Sequence, residues 1–358
     1  MVTHCVTIFL FSLVCLFLAR KVAKKTGLLD KPNHRKRHQG QIPLVGGISI
    51  YAGICFTCLY INHYIPHVDL YLICAGILVV TGVLDDRFDI SVLVRTIIQA
   101  LVSVVMMVYS GQYINSLGYI FGPYEVILGP GGYLVTLFAV WAAINAFNMV
   151  DGIDGLLGGL SCVSLSAIGI FFILENHARL ALLCFGMIAS VLPYIFFNLG
   201  FFGQHYKVFM GDSGSTMIGF TIIWLLLYST QGWGHPMNPV TGLWIIAIPL
   251  MDMIAIIYRR LRKGMSPFTP DRQHIHHLIM RAGFSERQAF IIITFTAAQL
   301  AFFGMAGERW LHLPESVMLL LWLGVLLVYG YVLKCPIRLI QFVKRSKRRF
   351  MRYRKILL

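Results

Sequence analysis

Acidic side chains are scarce in this sequence: 15 Asp and Glu against 30 Lys and Arg in 358 residues, with charged residues of both signs only 13% of the total. A soluble chain carries about 25%. With 58% hydrophobic residues, this one would expose far too much apolar surface to stay in water. No GxxxxGK[ST], no GxGxxG after a strand and no GxSxG elbow occurs, which argues against a P-loop ATPase, a dinucleotide enzyme and a serine hydrolase. Internal repeats, low-complexity tracts and a soluble domain are missing too. A disulfide framework is also absent. Of eight cysteines, Cys5, Cys15, Cys55, Cys58, Cys74, Cys162 and Cys184 lie inside apolar stretches. The Cys55/Cys58 CxxC is embedded among Ile, Phe and Leu and reads as small apolar packing.

What the chain does have is apolar runs. Mean hydropathy is +0.74. Eleven stretches approach the roughly 20 residues a span requires: 3–19, 44–62, 68–84, 92–110, 133–147, 156–174, 180–198, 215–230, 240–258, 289–306 and 315–333. The fifth and eighth are short. The expected fold is an all-α polytopic membrane protein, with one integral-membrane domain over 1–334 and a basic tail over 335–358. Segment 111–132, punctuated by Gly and Pro, is expected to form a hairpin outside.

Basic residues set the orientation. Eight fall in 20–43, seven in 259–288 and ten from Lys334 onward; Arg87, Arg95 and Lys207 share that side, leaving Arg179 and Arg309 opposite. The N-terminus is therefore expected outside and the C-terminus in the cytoplasm. The first stretch has no basic leader and reads as a retained helix. The one-sided net charge of +15 points to anionic membrane lipids as partners, not nucleic acid.

Against this background the carboxylates stand out. One near the bilayer core costs about 2.5–3.5 kcal/mol, so clusters need a partner or a purpose. Asp85-Asp86 closes the third run, where neighbouring carboxylates repel unless a cation sits between them. Mg²⁺ typically binds through one or two carboxylates plus substrate phosphates; an ordinary polar helix end with Arg87 as counter-ion is the plainer reading. Asn145, Asn148, Asp151 and Asp154 recur every three residues, so on a helix successive members touch, and Gly152 and Gly155 allow the backbone to approach a ligand. Asp212, between Gly211 and Gly214 before the eighth run, is either a further ligand or a helix N-cap. His274, His276 and His277 follow; in an extended segment His274 and His276 share one side. Without a cysteine or HExxH frame, contact with phosphate or sugar hydroxyls suits them better than zinc. Arg260, among Arg259, Arg262 and Lys263, is a phosphate clamp or part of a stop-transfer cluster.

Five segments together resemble the polyprenyl-phosphate N-acetylhexosamine-1-phosphate transferases: Asp30 to His38 with Pro43, Gly46 and Gly47; Asp85-Asp86; Asn145 to Gly155; Gly211 to Gly214; and His274 to His277. The resemblance covers nearly the whole chain. It implies undecaprenyl phosphate and UDP-GlcNAc as substrates, UMP as by-product and Mg²⁺ or Mn²⁺ as cofactor. It also implies a bacterial inner-membrane enzyme whose lipid-linked product serves O-antigen and enterobacterial common antigen. The branch that takes UDP-MurNAc-pentapeptide tends to carry a Lys near Asp89 and three consecutive histidines, and this sequence departs from both.

The expected roles follow. Asp212, with Asp85 and Asp86, holds the metal; Asp85, Asp86, Asp151 and Asp154 are the catalytic acids; Asn145, Asn148, Arg260, His274, His276 and His277 contact substrate. A two-step route through a phospho-aspartate stays open, as do a homodimer and another UDP-N-acetylhexosamine donor. A cation-coupled transporter is the rival class. Its acids belong near the midplane, where only Asp252 lies.

Overall fold

The computed structural model describes residues 2–30, 40–61, 65–232, 235–267, 269 and 273–334. His34, His38, Asp271, most of the 30–38 motif and the tail over 335–358 lie outside them. Lipid offers backbone groups no partner, so apolar runs close their hydrogen bonds internally as helices. In chain order these are α1 (Val2–Thr26), α2 (Gly46–Ile61), α3 (Val68–Phe88), α4 (Val92–Ser110), α5 (Gly131–Met149), α6 (Leu156–Leu174), α7 (Ala178–Asn198), α8 (Gly211–Thr230), α9 (Pro239–Ile245), α10 (Ala247–Arg262), α11 (Ile275–Arg281), α12 (Glu286–Arg309) and α13 (Glu315–Lys334). Among the described residues, nine helices are long and apolar enough to cross a membrane. The chain is an all-α polytopic membrane protein; the one sheet pairs the two-residue strands Leu29–Asp30 and Ile42–Pro43.

Two of the expected spans differ. The second is a shorter apolar helix, Gly46–Leu59. The run 240–258 is not one rod: α9 and α10 meet at 82°. Pro249, in the first turn of α10, has no N–H for the carbonyl of Ile245 and crowds the preceding turn. The fifth and eighth runs, short in sequence, form helices of 19 and 20 residues.

Helix α8 is the axis of the bundle, 94% buried over its span against 17% for α1 and α13. Small residues let its neighbours reach its backbone. A Cβ on Gly82 of α3 would lie 2.2 Å from the Ser213 nitrogen, and one on Gly47 of α2 would lie 2.3 Å from that of Gly214. These contacts press the end of α3 and the start of α2 against the first turn of α8. At the opposite end, segment 111–132 forms the expected hairpin: Leu117 N donates to Val126 O at 2.9 Å and Val126 N to Gly118 O at 3.0 Å. The Gln231 side chain pins it, accepting from Asn115 N at 3.0 Å and Ser116 N at 3.1 Å.

Candidate active site

Close packing of α3 on α8 sets Asp86 beside Asp212. Asp86 Oδ1 accepts the Asp212 backbone N–H at 3.0 Å. Asp212 therefore lies in the first turn of α8 and is not its N-cap; the cap residue, Met210, makes no side-chain cap bond, and Asp86 satisfies an end donor from across the interface. Gly211 has φ +73°, and a Cβ there would lie 2.4 Å from Asp86 Oδ2, so geometry and space both require glycine.

Asp85 is almost fully buried, its side chain 4% exposed. Its counter-ion is Arg95 of α4, whose Nη1 contacts Asp85 Oδ2 and lies 3.2 Å from Asp212 Oδ2. Asn148 Nδ2 donates to Asp212 Oδ1 and to Ser215 Oγ, both at 2.8 Å. Asn145 Nδ2 donates to Gln99 Oε1 at 3.3 Å and to Trp141 O at 2.8 Å. Asp85, Asp86, Asn148 and Asp212 are thus one cluster, with Asn145 beside it through Gln99. Asp85, Arg95, Gln99, Asp212 and Thr216 line a shared small cleft. Arg95 was counted in the sequence only as an inside charge. Its signal was there: Arg95 and Gln99 are spaced four apart on an otherwise apolar helix, and so share a face.

The expected run of touching polar residues stops earlier than its spacing implies. Helix α5 ends at Met149, so only Asn145 and Asn148 share a helical face. The chain then turns, Asp151 N donating to Asn148 O at 3.3 Å and Gly152 N to Val150 O at 2.8 Å. Asp154 faces a neighbouring cleft of about 220 Å³ lined by Leu199, Gln204, Lys207, Glu286 and Arg287. There its Oδ2 pairs with Lys207 Nζ at 2.5 Å, and that ammonium lies 5.5 Å over the Phe209 ring. Asp154 therefore belongs to this second cleft, not to the group around Asp212.

The histidines are not in an extended segment. His274 alone is extended, at φ −64° and ψ 159°, as the cap of α11; His276 and His277 lie in its first turn. The His274 and His276 rings stack at 5.6 Å and 5°, and His277 lies 4.2 Å beyond. His276 is 2% exposed and neither ring nitrogen has a hydrogen-bond partner. Its ring presses on the aspartate turn: a Cβ on Gly152 would sit 2.4 Å from Nε2. Burial, reinforced by His277 and His274, lowers its pKa to about 3 and keeps it neutral. Arg260 is buried, and its Nη1 contacts Pro267 O in the loop leading to the histidines.

The cluster around Asp212 offers carboxylate oxygens, the donor type of a hard divalent cation, with Arg95 and Asn148 on the oxygens of Asp85 and Asp212. Asp86 Oδ2 is buried without a hydrogen-bond partner. Among the described residues no three His, Cys, Asp or Glu side chains are arranged to enclose a metal unaided.

The model of glycosyl transferase family 4 matches residues 69–230, from the start of α3 to the end of α8. A Yersinia pestis protein named undecaprenyl-phosphate α-N-acetylglucosaminyl 1-phosphate transferase is 66% identical over 99% of this chain and 97% of its own length. Proteins with the same name are similar in Escherichia coli K12, at 65% over 98% and 96%, and in Haemophilus influenzae, at 51% over 97% and 98%.

Proposed function

Because the chain belongs to glycosyl transferase family 4 and matches these relatives end to end, we propose that it transfers GlcNAc-1-phosphate from UDP-GlcNAc to undecaprenyl phosphate, releasing UMP and forming undecaprenyl-diphospho-GlcNAc. The observation that carries the reading is that Asp85 and Asp86 of α3 meet Asp212 of α8, more than 100 residues away in sequence: one guanidinium, Arg95, contacts Asp85 and Asp212, and Asp86 accepts the Asp212 N–H.

Phosphoryl transfer asks for positioning and charge neutralisation more than covalent chemistry. A phosphate oxygen of the lipid forms a bond to the β-phosphorus of UDP-GlcNAc while the bond to the bridging oxygen breaks and UMP departs. Mg²⁺, or Mn²⁺, would be held by Asp212 with Asp85 and Asp86, and would supply neutralisation of the diphosphate. Asn148 fixes the Asp212 carboxylate in rotation, and Asp86 holds the Asp212 backbone through its N–H. Arg95 holds Asp85, which orients the attacking phosphate. With a second phosphate pKa near 6, the nucleophile is largely ionised at neutral pH, so proton removal by Asp85 adds little. Asp151 and Asp154, on the turn beside the second cleft, are assigned to the UDP side with Arg260 and the histidines, while Asn145 contacts substrate from beside the Asp212 cluster. Lys207 and Arg287 are the cations of that cleft, where Asp154 and Glu286 also lie and Lys207 pairs with Asp154.

Lys and Arg bias supports a cytoplasmic side for these helix ends, where UDP-sugars are available, and the basic side favours anionic lipids; the membrane proposed is the bacterial inner membrane. The test is to incubate purified protein with undecaprenyl phosphate and a panel of UDP-sugars and weigh the lipid products. UDP-GlcNAc should give a diphospho-GlcNAc lipid and UMP, and EDTA should stop the reaction. A lipid product from UDP-MurNAc-pentapeptide in its place, or none with any donor, would overturn the assignment.

A further inference from the structure

Asp252 is the one carboxylate well inside an apolar helix, flanked by Met251 and Met253 in α10, and it is fully buried at 0% exposure. No role in the chemistry above calls for it. Burying a carboxylate is costly unless donors surround it, and an apolar residue of that size would pack α10 as well. Asp252 has three donors, drawn from two other elements. His274 Nδ1 lies 2.6 Å from its Oδ2, Ile275 N donates to Oδ1 at 3.1 Å, and the Tyr329 hydroxyl of α13 donates to Oδ1 at 2.7 Å.

We propose that Asp252 and Tyr329 are positioning residues that hold His274 in one orientation and one tautomer for the UDP-sugar. An ionised carboxylate only accepts, so the His274 nitrogen facing it must carry the proton, and the electron pair of the neutral ring falls on Nε2. The Ile275 bond fixes the same carboxylate to the first turn of α11, so the ring cannot swing without breaking a backbone contact. Tyr329 holds the carboxylate in turn. One turn-pair earlier on α13, Trp322 Nε1 donates to Leu243 O of α9 at 3.1 Å, so the last helix grips both halves of the broken span and sets the base on which His274 stands. The ring so fixed stacks on His276, which abuts Gly152 in the aspartate turn. Buried Asp252 thus acts on the site from α10, through His274.

The role in turnover rests on the transferase reading; the tautomer does not, and the experiment separates them. In protein labelled with ¹⁵N-histidine, the resonances lost on His274→Ala identify that ring, and they should show a protonated Nδ1 that Asp252→Asn abolishes. In the same preparations, Asp252→Asn should lower kcat/KM for UDP-GlcNAc by about 10- to 100-fold, the range for residues that orient a functional side chain from behind. KM for undecaprenyl phosphate should stay put. In a His274→Ala background Asp252→Asn should cost less than about 2-fold more, since residues acting as a unit are not additive. Asp252→Glu should recover part of the loss. Should Asp252→Asn fail to fold, Tyr329→Phe keeps the carboxylate and should cost about 3-fold, the worth of one hydrogen bond, and nothing once His274 is gone. A proton on Nε2 in the unsubstituted protein, or losses that add fully to His274→Ala, or a lowered melting temperature with unchanged kcat/KM, would overturn the proposal. Should the Nδ1 signal be present while no UDP-sugar is turned over, the pairing stands and the transferase reading falls.

Discussion

At the end of the bundle where α8 finishes, the carboxylates hold the structure together. Glu308 accepts Asn238 N at 3.0 Å and contacts the Thr241 hydroxyl, supplying the missing cap of α9. Glu315 accepts Tyr119 N at 3.1 Å and so seats the hairpin, and Glu175 pairs with Arg309. At the end where α8 begins, Asp85, Asp86 and Asp212 crowd together, and the cation contacting two of them is a single guanidinium. The first arrangement gives each carboxylate a backbone, hydroxyl or guanidinium donor of its own, although Glu315 Oε2 is buried without a partner. The second crowds three carboxyl groups around one guanidinium, with a buried oxygen of Asp86 unpartnered. Folding alone gives no reason to crowd carboxyl groups so closely, and the proposed transfer, with a cation carried by the diphosphate, supplies one.

The contrast breaks most sharply at Asp212. Asp212→Asn keeps the shape and loses the charge. UMP release should fall on the order of 10²–10³-fold, the usual scale for removing one preorganised electrostatic contact, with melting temperature little changed. Near-normal turnover would move the metal elsewhere. Arg95→Ala comes next, at about 10- to 100-fold, because Asp85 and Asp212 would then face each other without their shared cation. Arg95→Lys should fall between, since Lys keeps the positive charge but on a compact ammonium without the guanidinium's reach and fixed donor geometry. Steady-state kinetics across a Mg²⁺ series would show both; equal activity of all three proteins would reduce Arg95 to a surface charge.

Much of this site could be read before any fold was known, for a physical reason. Asp, Asn and His inside apolar runs are costly enough to be conspicuous, so Asp85, Asp86, Asn145, Asn148, Asp212 and His274 drew attention one by one. What stayed hidden was pairing across helices. Arg95 meets Asp212 from 117 positions away, and Tyr329 meets Asp252 from 77, distances at which no periodicity speaks. The three-residue spacing misled in the other direction. It implied contact between successive members from Asn145 to Asp154, but the helix stops at Met149 and Asp154 lies in another cleft. The 82° break was legible only as Pro249, and a proline in a first helical turn is ordinarily harmless.

Smaller effects sharpen the comparison through packing. In Gly82→Ala the new methyl would lie 2.2 Å from the Ser213 nitrogen, so α3 must back away from α8. Overpacking of this kind costs about 1–3 kcal/mol, and here it should also part Asp86 from Asp212 N and reduce turnover. At the other end, Glu308→Ala strands the Asn238 N–H and the Thr241 hydroxyl at a similar cost of about 1–3 kcal/mol, with turnover unchanged. Melting curves and UMP release measured together would distinguish the two. A Glu308→Ala protein that melts normally but loses turnover would erase the distinction between the faces.

His276 gives the smallest effect at neutral pH and a definite one below it. Its pKa is lowered to about 3 in the folded protein by burial among His274, His277 and the Gly152 turn. The unfolded chain takes up the proton near pH 6.5 and the folded one does not, so the contribution to stability is complete above that pH and lost below it. The slope should approach about 1.4 kcal/mol per pH unit between pH 6.5 and 3. His276→Asn, which cannot take a proton, should start less stable at pH 7.5 and decline more gently as the pH falls. Melting temperatures of the two proteins in detergent from pH 7.5 to 5 would then converge. Parallel curves would mean that water reaches the His276 ring and that the packing of α11 on the aspartate turn is looser than its contact with Gly152 implies.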